Sequence, residues 1–228
     1  MRNIILVFLA VVSISELDLS GLIEVPASHN GGDIMAILYT GDGGWRTTDR
    51  GLAETLARQG IPVVAVNTLH YFWSRRTPEG AADDFARILT HYLAVWKKEK
   101  VIVIGYSYGA DVLPFILNRQ SRQVESHVDL VALLAPTRTV DFKFHLAQWF
   151  FRYTPRKAQP VLPELEKLKN LRILAFCGDQ DGESLCRILP PGTAKIVLLQ
   201  GGHRFDKFYG AIARDIMKEL ASLQESAH

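Results

Sequence analysis

The chain has 228 residues, an apolar fraction of 48%, a charged fraction of 22% and 17 glycines, which fits one packed domain and excludes a disordered or low-complexity chain. A formal net charge of +2 gives no long-range pull toward nucleic acid, despite a local group of Arg75, Arg76, Lys97, Lys98 and Lys100, so no nucleic-acid partner is expected. No segment repeats at solenoid or propeller periods, which excludes a stacked-repeat architecture.

At the N-terminus, Met1-Arg2-Asn3 precedes an apolar run from Ile4 to Val12 and the small-x-small triplet Ser13-Ile14-Ser15. This is the pattern of a short secretory signal over residues 1–15, leaving a single domain over 16–228; a buried first strand is the alternative. The run is about half of the roughly 20 residues a spanning helix needs. Beyond it, short apolar runs alternate with helical patterns. Strands are predicted at residues 34–40, 62–66, 101–104, 130–134, 171–176 and 196–199, and helices at 49–58, 78–96, 108–118 and 207–223. Near-continuous hydrophobicity suits strands covered on both faces, so the fold class is α/β: a mainly parallel central sheet with helices on both faces. Pro78 at a helix start, followed by Glu79, Asp83 and Asp84, agrees with proline's tolerance there and with the helix dipole. The stretch 137–163, rich in aromatics and prolines, interrupts the alternation and reads either as a lid or substrate wall, or as a plain crossover with one short helix.

Gly105-Tyr106-Ser107-Tyr108-Gly109 lies between a predicted strand and a predicted helix, the context that makes G-x-S-x-G a nucleophile elbow. That elbow makes the expected fold α/β-hydrolase-like, and a serine hydroxyl, a weak nucleophile at neutral pH, needs an adjacent base, which in such a fold comes late in the chain. His203, in Gly201-Gly202-His203-Arg204-Phe205-Asp206, follows the last strand and precedes the last helix. His70 and His145 are candidates only for lining a pocket, and His29, His91, His127 and His228 fall in a helix, in loops or at the terminus. The third member is expected after the strand at 171–176, where Asp181 is favoured and Asp179 and Glu183 are alternatives. Oxyanion donors are expected from the N–H of Tyr108 and from Asp42 or Gly43 in the loop Gly41-Asp42-Gly43-Gly44-Trp45. Cys177 and Cys186 flank the acid loop; in an oxidising compartment they would pair and restrain it, and otherwise they are two buried thiols. Two cysteines and scattered histidines do not make a four-ligand zinc pattern, and the reaction class needs no metal or organic cofactor.

Together these motifs resemble the AcvB/VirJ family of bacterial virulence-associated periplasmic proteins. The resemblance rests on Gly41-Asp42-Gly43-Gly44-Trp45, on Tyr71-Phe72-Trp73 with Arg76-Thr77-Pro78, on the segment from Gly105 to Phe115, and on Gly201 to Asp206. It departs at Arg204, where a second histidine is expected in that family. The resemblance implies a periplasmic serine esterase that cleaves the aminoacyl ester of aminoacyl-phosphatidylglycerol, of lysyl or alanyl type, at a membrane surface. On that reading Trp45, Tyr71, Phe72 and Trp73 are candidate contacts for the lipid, Trp149-Phe150-Phe151 for the membrane surface, and Asp42 or Asp111 for the substrate ammonium. A helix-dipole role competes for Asp111. The alternatives are an esterase for a soluble ester or thioester, and a non-catalytic adaptor that binds proteins of a type IV secretion system.

Overall fold

The computed structural model describes residues 21–143 and 157–226. The proposed signal, His145 and Trp149-Phe150-Phe151 lie outside them. The described strands are β1 (Leu22–Val25), β2 (Ile34–Tyr39), β3 (Val63–Val66), β4 (Lys100–Tyr106), β5 (Val128–Leu134), β6 (Thr139–Val140), β7 (Gln159–Pro160), β8 (Ile173–Gly178) and β9 (Lys195–Leu199). Seven of them form one sheet in the order β1-β3-β2-β4-β5-β8-β9, and β6 and β7 pair with each other apart from it. Every pairing in the large sheet is parallel except β1 with β3. The six predicted strands are all present, with ends displaced by at most two residues. β1 went unseen in the sequence because it is a short, half-exposed edge whose apolar run is broken by Glu24, which accepts the Tyr92 hydroxyl at 2.7 Å.

The helices are α1 (Thr47–Arg58), α2 (Thr68–Tyr71), α3 (Pro78–Trp96), α4 (Tyr108–Leu117), α5 (Arg122–Glu125), α6 (Leu162–Leu165) and α7 (Tyr209–Ser226). α3 begins at Pro78, as its sequence predicts, and Thr77 caps it by accepting the Gly80 N–H at 3.0 Å. Strand residues alternate between two cores. Met35, Ile37, Val101, Val103, Val131 and Leu133 face α3 and α4, where Phe85, Leu89, Leu113 and Ile116 are buried. Their neighbours Ala36, Leu38, Ile102, Ile104, Ala132 and Leu134 face α1 and α7, against Leu52, Leu56, Ile212 and Ile216. Both faces of the central strands β2, β3, β4, β5 and β8 are therefore dry, which is why these strands read as unbroken apolar runs.

The chain passes from β2 to β3 on one side and then returns to β4 on the other, so the winding reverses between β2 and β4. In open parallel sheets a crevice opens at such a reversal, at the carboxyl ends of the strands. The glycine loop leaves β2 there, and Ser107 leaves β4 beside it.

Candidate active site

Ser107 is the N-cap of α4, directly after β4, with φ 51° and ψ −114°. It is one of three residues other than glycine with positive φ among those described. Its N–H donates to Leu134 O at 2.8 Å, continuing the β4–β5 ladder, and its carbonyl accepts the Asp111 N–H at 3.1 Å, starting the helix. The flanking glycines are demanded by space. A Cβ on Gly105 would come within 2.6 Å of the Ala110 nitrogen, and one on Gly109 would run into the carbonyl oxygens of Tyr39 and Thr40. With α4 lying this close to β2, the chain must turn within one residue, and Ser107 takes the strained conformation.

The Ser107 hydroxyl lies 2.7 Å from His203 Nε2, and His203 Nδ1 lies 2.9 Å from Asp181 Oδ2. A carboxylate at Nδ1 fixes the tautomer that leaves Nε2 free to accept from the serine. The Asp181 side chain is only 6% exposed, and its second oxygen accepts the Glu183 N–H at 3.1 Å. Of the other acids considered, Asp179 turns to the Gly201 N–H at 2.8 Å and steadies the histidine loop, while Glu183 is exposed. Gly178 closes β8 against that loop: a side chain there would collide with the carbonyls of Gly201 and Gly202. Cys177 and Cys186 form a disulfide across the acid loop.

The glycine loop turns back at once, with Gly44 N–H donating to Gly41 O at 2.9 Å, so that Asp42 and Gly43 occupy its centre. Gly41 stands against the nucleophile, since a Cβ on it would be 3.7 Å from Ser107 Cβ. Tyr108 is the first residue of α4, so its N–H points out of the helix end. The turn's two ends are held by Asp49, whose carboxylate accepts the Gly41 N–H at 3.3 Å and the Arg46 N–H at 3.2 Å. Burial pushes the Asp49 carboxyl up to about 7 against those amides, which pull it down.

Asp111 and the aromatics, candidate substrate contacts, have partners of their own. Asp111 is 4% exposed, and its two oxygens accept the N–H and the hydroxyl of Thr137, each at 2.6 Å. Burial pushes it up to about 8, with the charge of Asp42 adding to the rise. It ties α4 to the chain after β5. The aromatics also divide. Trp45 packs on the α1/α7 core, whereas Phe72 is buried on the other face of the sheet, edge-on to Tyr108 and Phe142 at 5.2 and 5.8 Å. Tyr71 donates to Asp84 at 2.6 Å under the Arg76 guanidinium, and Trp73 is 58% exposed. His70 is exposed.

The sequence reading missed a polar frame around the site. The Tyr108 hydroxyl donates to Asp141 O at 2.6 Å, and Asp141 holds Arg75 through two bonds of 2.6 and 3.1 Å. Tyr106 stacks with the His203 ring at 6.4 Å, and burial pushes its hydroxyl up to about 12.

A parallel sheet with these crossovers, carrying serine, aspartate and histidine in that chain order at the ends of β4, β8 and β9, defines an α/β-hydrolase fold. Solved structures agree. The chain is similar to Est1E from Butyrivibrio proteoclasticus, solved with ferulic acid, at 12% identity and TM-score 0.59, covering 88% of this chain and 95% of that one. It is similar to MenH from Staphylococcus aureus, at 11% identity and TM-score 0.59, covering 90% and 99%. It is also similar to XC6422 from Xanthomonas campestris, described as an α/β serine hydrolase without a lid, at 15% identity and TM-score 0.54, covering 86% and 88%. The chain belongs to the VirJ family of bacterial virulence proteins, which matches residues 33–224. No curated protein matches it.

Proposed function

We propose that this protein is a serine esterase that forms an acyl-enzyme at Ser107, and that its substrate is the aminoacyl ester of aminoacyl-phosphatidylglycerol, met from the periplasm. The observation that carries the enzymatic reading is the unbroken chain from Ser107 Oγ to His203 Nε2 at 2.7 Å and from Nδ1 to Asp181 at 2.9 Å, on a serine held at φ 51°. In the reaction, Ser107 Oγ attacks the ester carbonyl as its proton passes to His203 Nε2. Asp181 stabilises the imidazolium, and the N–H groups of Tyr108 and of Asp42 or Gly43 receive the oxyanion. Collapse expels the glycerol oxygen, which takes the proton from His203. Water activated by His203 then releases the amino acid and restores the serine.

Membership in the VirJ family supports the lipid substrate. So does an exposed Trp73 two residues from Arg75, whose partner Asp141 also receives the Tyr108 hydroxyl; a guanidinium there suits a phosphodiester. The ferulic acid bound to Est1E supports a second reading, a soluble carboxylic ester.

A fluorophosphonate probe tests the esterase. Labelling of the wild type should vanish in Ser107→Ala and fall by at least about 10³-fold in His203→Ala. Amino acid release from vesicles of lysyl-phosphatidylglycerol, compared with cleavage of p-nitrophenyl acetate, separates the two substrates. A folded wild type that takes no label overturns the esterase and leaves the secretion-system adaptor.

A further inference from the structure

We propose that the first turn of α1 is a positioning device for both loops that serve the chemistry: Asp49 sets the oxyanion turn and Thr48 sets the loop that carries His203. The assignment rests on the esterase reading given above.

Asp49 and Thr48 are each 1% exposed, although they occupy the start of a helix, where capping groups ordinarily meet water. Helix capping accounts for one of the Asp49 bonds, that to the Arg46 N–H. It does not account for the other, to the Gly41 N–H eight residues earlier, nor for burying a carboxyl to make it. Arg46 and Gly41 are the two ends of the glycine turn. One carboxylate thus spans the segment whose middle residues are to supply an oxyanion donor, and Gly41 lies close enough to the nucleophile elbow that an added Cβ would be 3.7 Å from Ser107 Cβ. Thr48 works on the other loop. Its hydroxyl donates to Asp206 Oδ1 at 2.7 Å, across 158 residues of sequence. Asp206 is three residues past His203 and follows Phe205, which is fully buried against the α1/α7 core. The Tyr106 ring lies between, stacked with His203 at 6.4 Å and tilted on Phe205 at 6.2 Å. Neighbouring residues of one helix turn therefore fix the oxyanion donors and the base relative to each other. The groups that face Asp49 are the amides of Gly41 and Arg46, the Asp206 carboxylate from the histidine loop, and Tyr106 at the end of β4.

The test uses the whole chain with Asp49→Asn, Thr48→Val and Thr48→Ser. Asparagine has the size of aspartate and keeps one acceptor, but it turns an N–H donor toward one of the two amides. Asp49→Asn is expected to lower kcat on p-nitrophenyl acetate by about 10 to 100-fold, with KM within about threefold, as for a misplaced transition-state donor. Amide exchange at residues 41–46 should quicken by about tenfold or more while the later turns of α1 keep their protection. Thr48→Val should lower kcat, and Thr48→Ser should restore it. Unchanged kcat and unchanged exchange at 41–46 in Asp49→Asn would overturn the proposal. So would a uniform rise in exchange along α1 with kcat falling only as the unfolded fraction grows, the signature of a simple cap. If the wild type hydrolyses no ester, the esterase reading fails by itself, and exchange at 41–46 still decides whether Asp49 sets the turn.

Discussion

Asp181 and Glu183 lie two positions apart in one loop, and only their surroundings separate them. Asp181 is buried and shares its carboxylate between the His203 ring and the Glu183 amide, while the Glu183 side chain lies in water. An acid that orients an imidazole must be rigid and dry, because water would compete for Nδ1 and a mobile carboxylate would hold no tautomer. Asp181→Asn should therefore lower kcat by about 10³ to 10⁴-fold with the melting temperature nearly unchanged. Glu183→Gln should leave kcat within about twofold. Steady-state kinetics on one soluble ester checks both, and equal losses would mean that the loop rearranges to offer either acid.

The acid loop, as an element, is held in more ways than its disulfide. Arg187 donates to the carbonyls of Asp181 and Asp179 at 2.9 and 3.2 Å, and the Leu185 N–H donates to Pro136 O at 2.8 Å. The Cys177–Cys186 bridge closes a sequence separation of 9, short enough that chain entropy gives it about 2 to 3 kcal/mol. Replacing both cysteines by alanine should lower unfolding stability by about that amount in urea. Activity at 25 °C should remain within about threefold, because the hydrogen bonds survive; a loss of more than about tenfold would make the bridge the main support of Asp181. Elements of this kind divide into those the sequence discloses and those it hides. Strands buried on both faces and helices with one apolar stripe announce themselves, and so do a serine between two glycines and a histidine after the last strand. Asp49 was hidden because an acid three residues into a helix looks the same whether it faces water or a glycine turn. Trp45 and Phe72 were grouped as candidate lipid contacts, yet they lie on opposite faces of the sheet, which only the three-dimensional winding decides. Asp111 was open to two readings because its partner Thr137 is 26 residues away.

For the whole molecule, burial of Asp49 and Asp111 sets how stability follows pH. Their folded values, about 7 and about 8, lie above the roughly 3.9 of an aspartate in an unfolded chain. Between those limits the native state holds protons that the unfolded state has lost, so folding takes up protons. The stability this provides is complete below about pH 4 and is lost as pH rises through about 7 and then about 8. Glu164 and Glu219, paired with lysine and arginine, are held below the usual glutamate range. Their contribution has the opposite sign and disappears only as pH falls below about 4.5. The two trends place greatest stability in acidic solution, near about pH 4 to 4.5, because the raised aspartates already lower it as pH climbs from there. Each elevated aspartate contributes a slope of at most about 1.4 kcal/mol per pH unit. Urea unfolding from pH 5 to 8.5 should therefore show wild-type stability falling as pH rises. Asp111→Asn, which has no proton to lose, should flatten the fall between pH 5 and 7 by up to that slope. Parallel curves for the two proteins would mean that Asp111 is already ionised at pH 5 and that Thr137 alone compensates its burial.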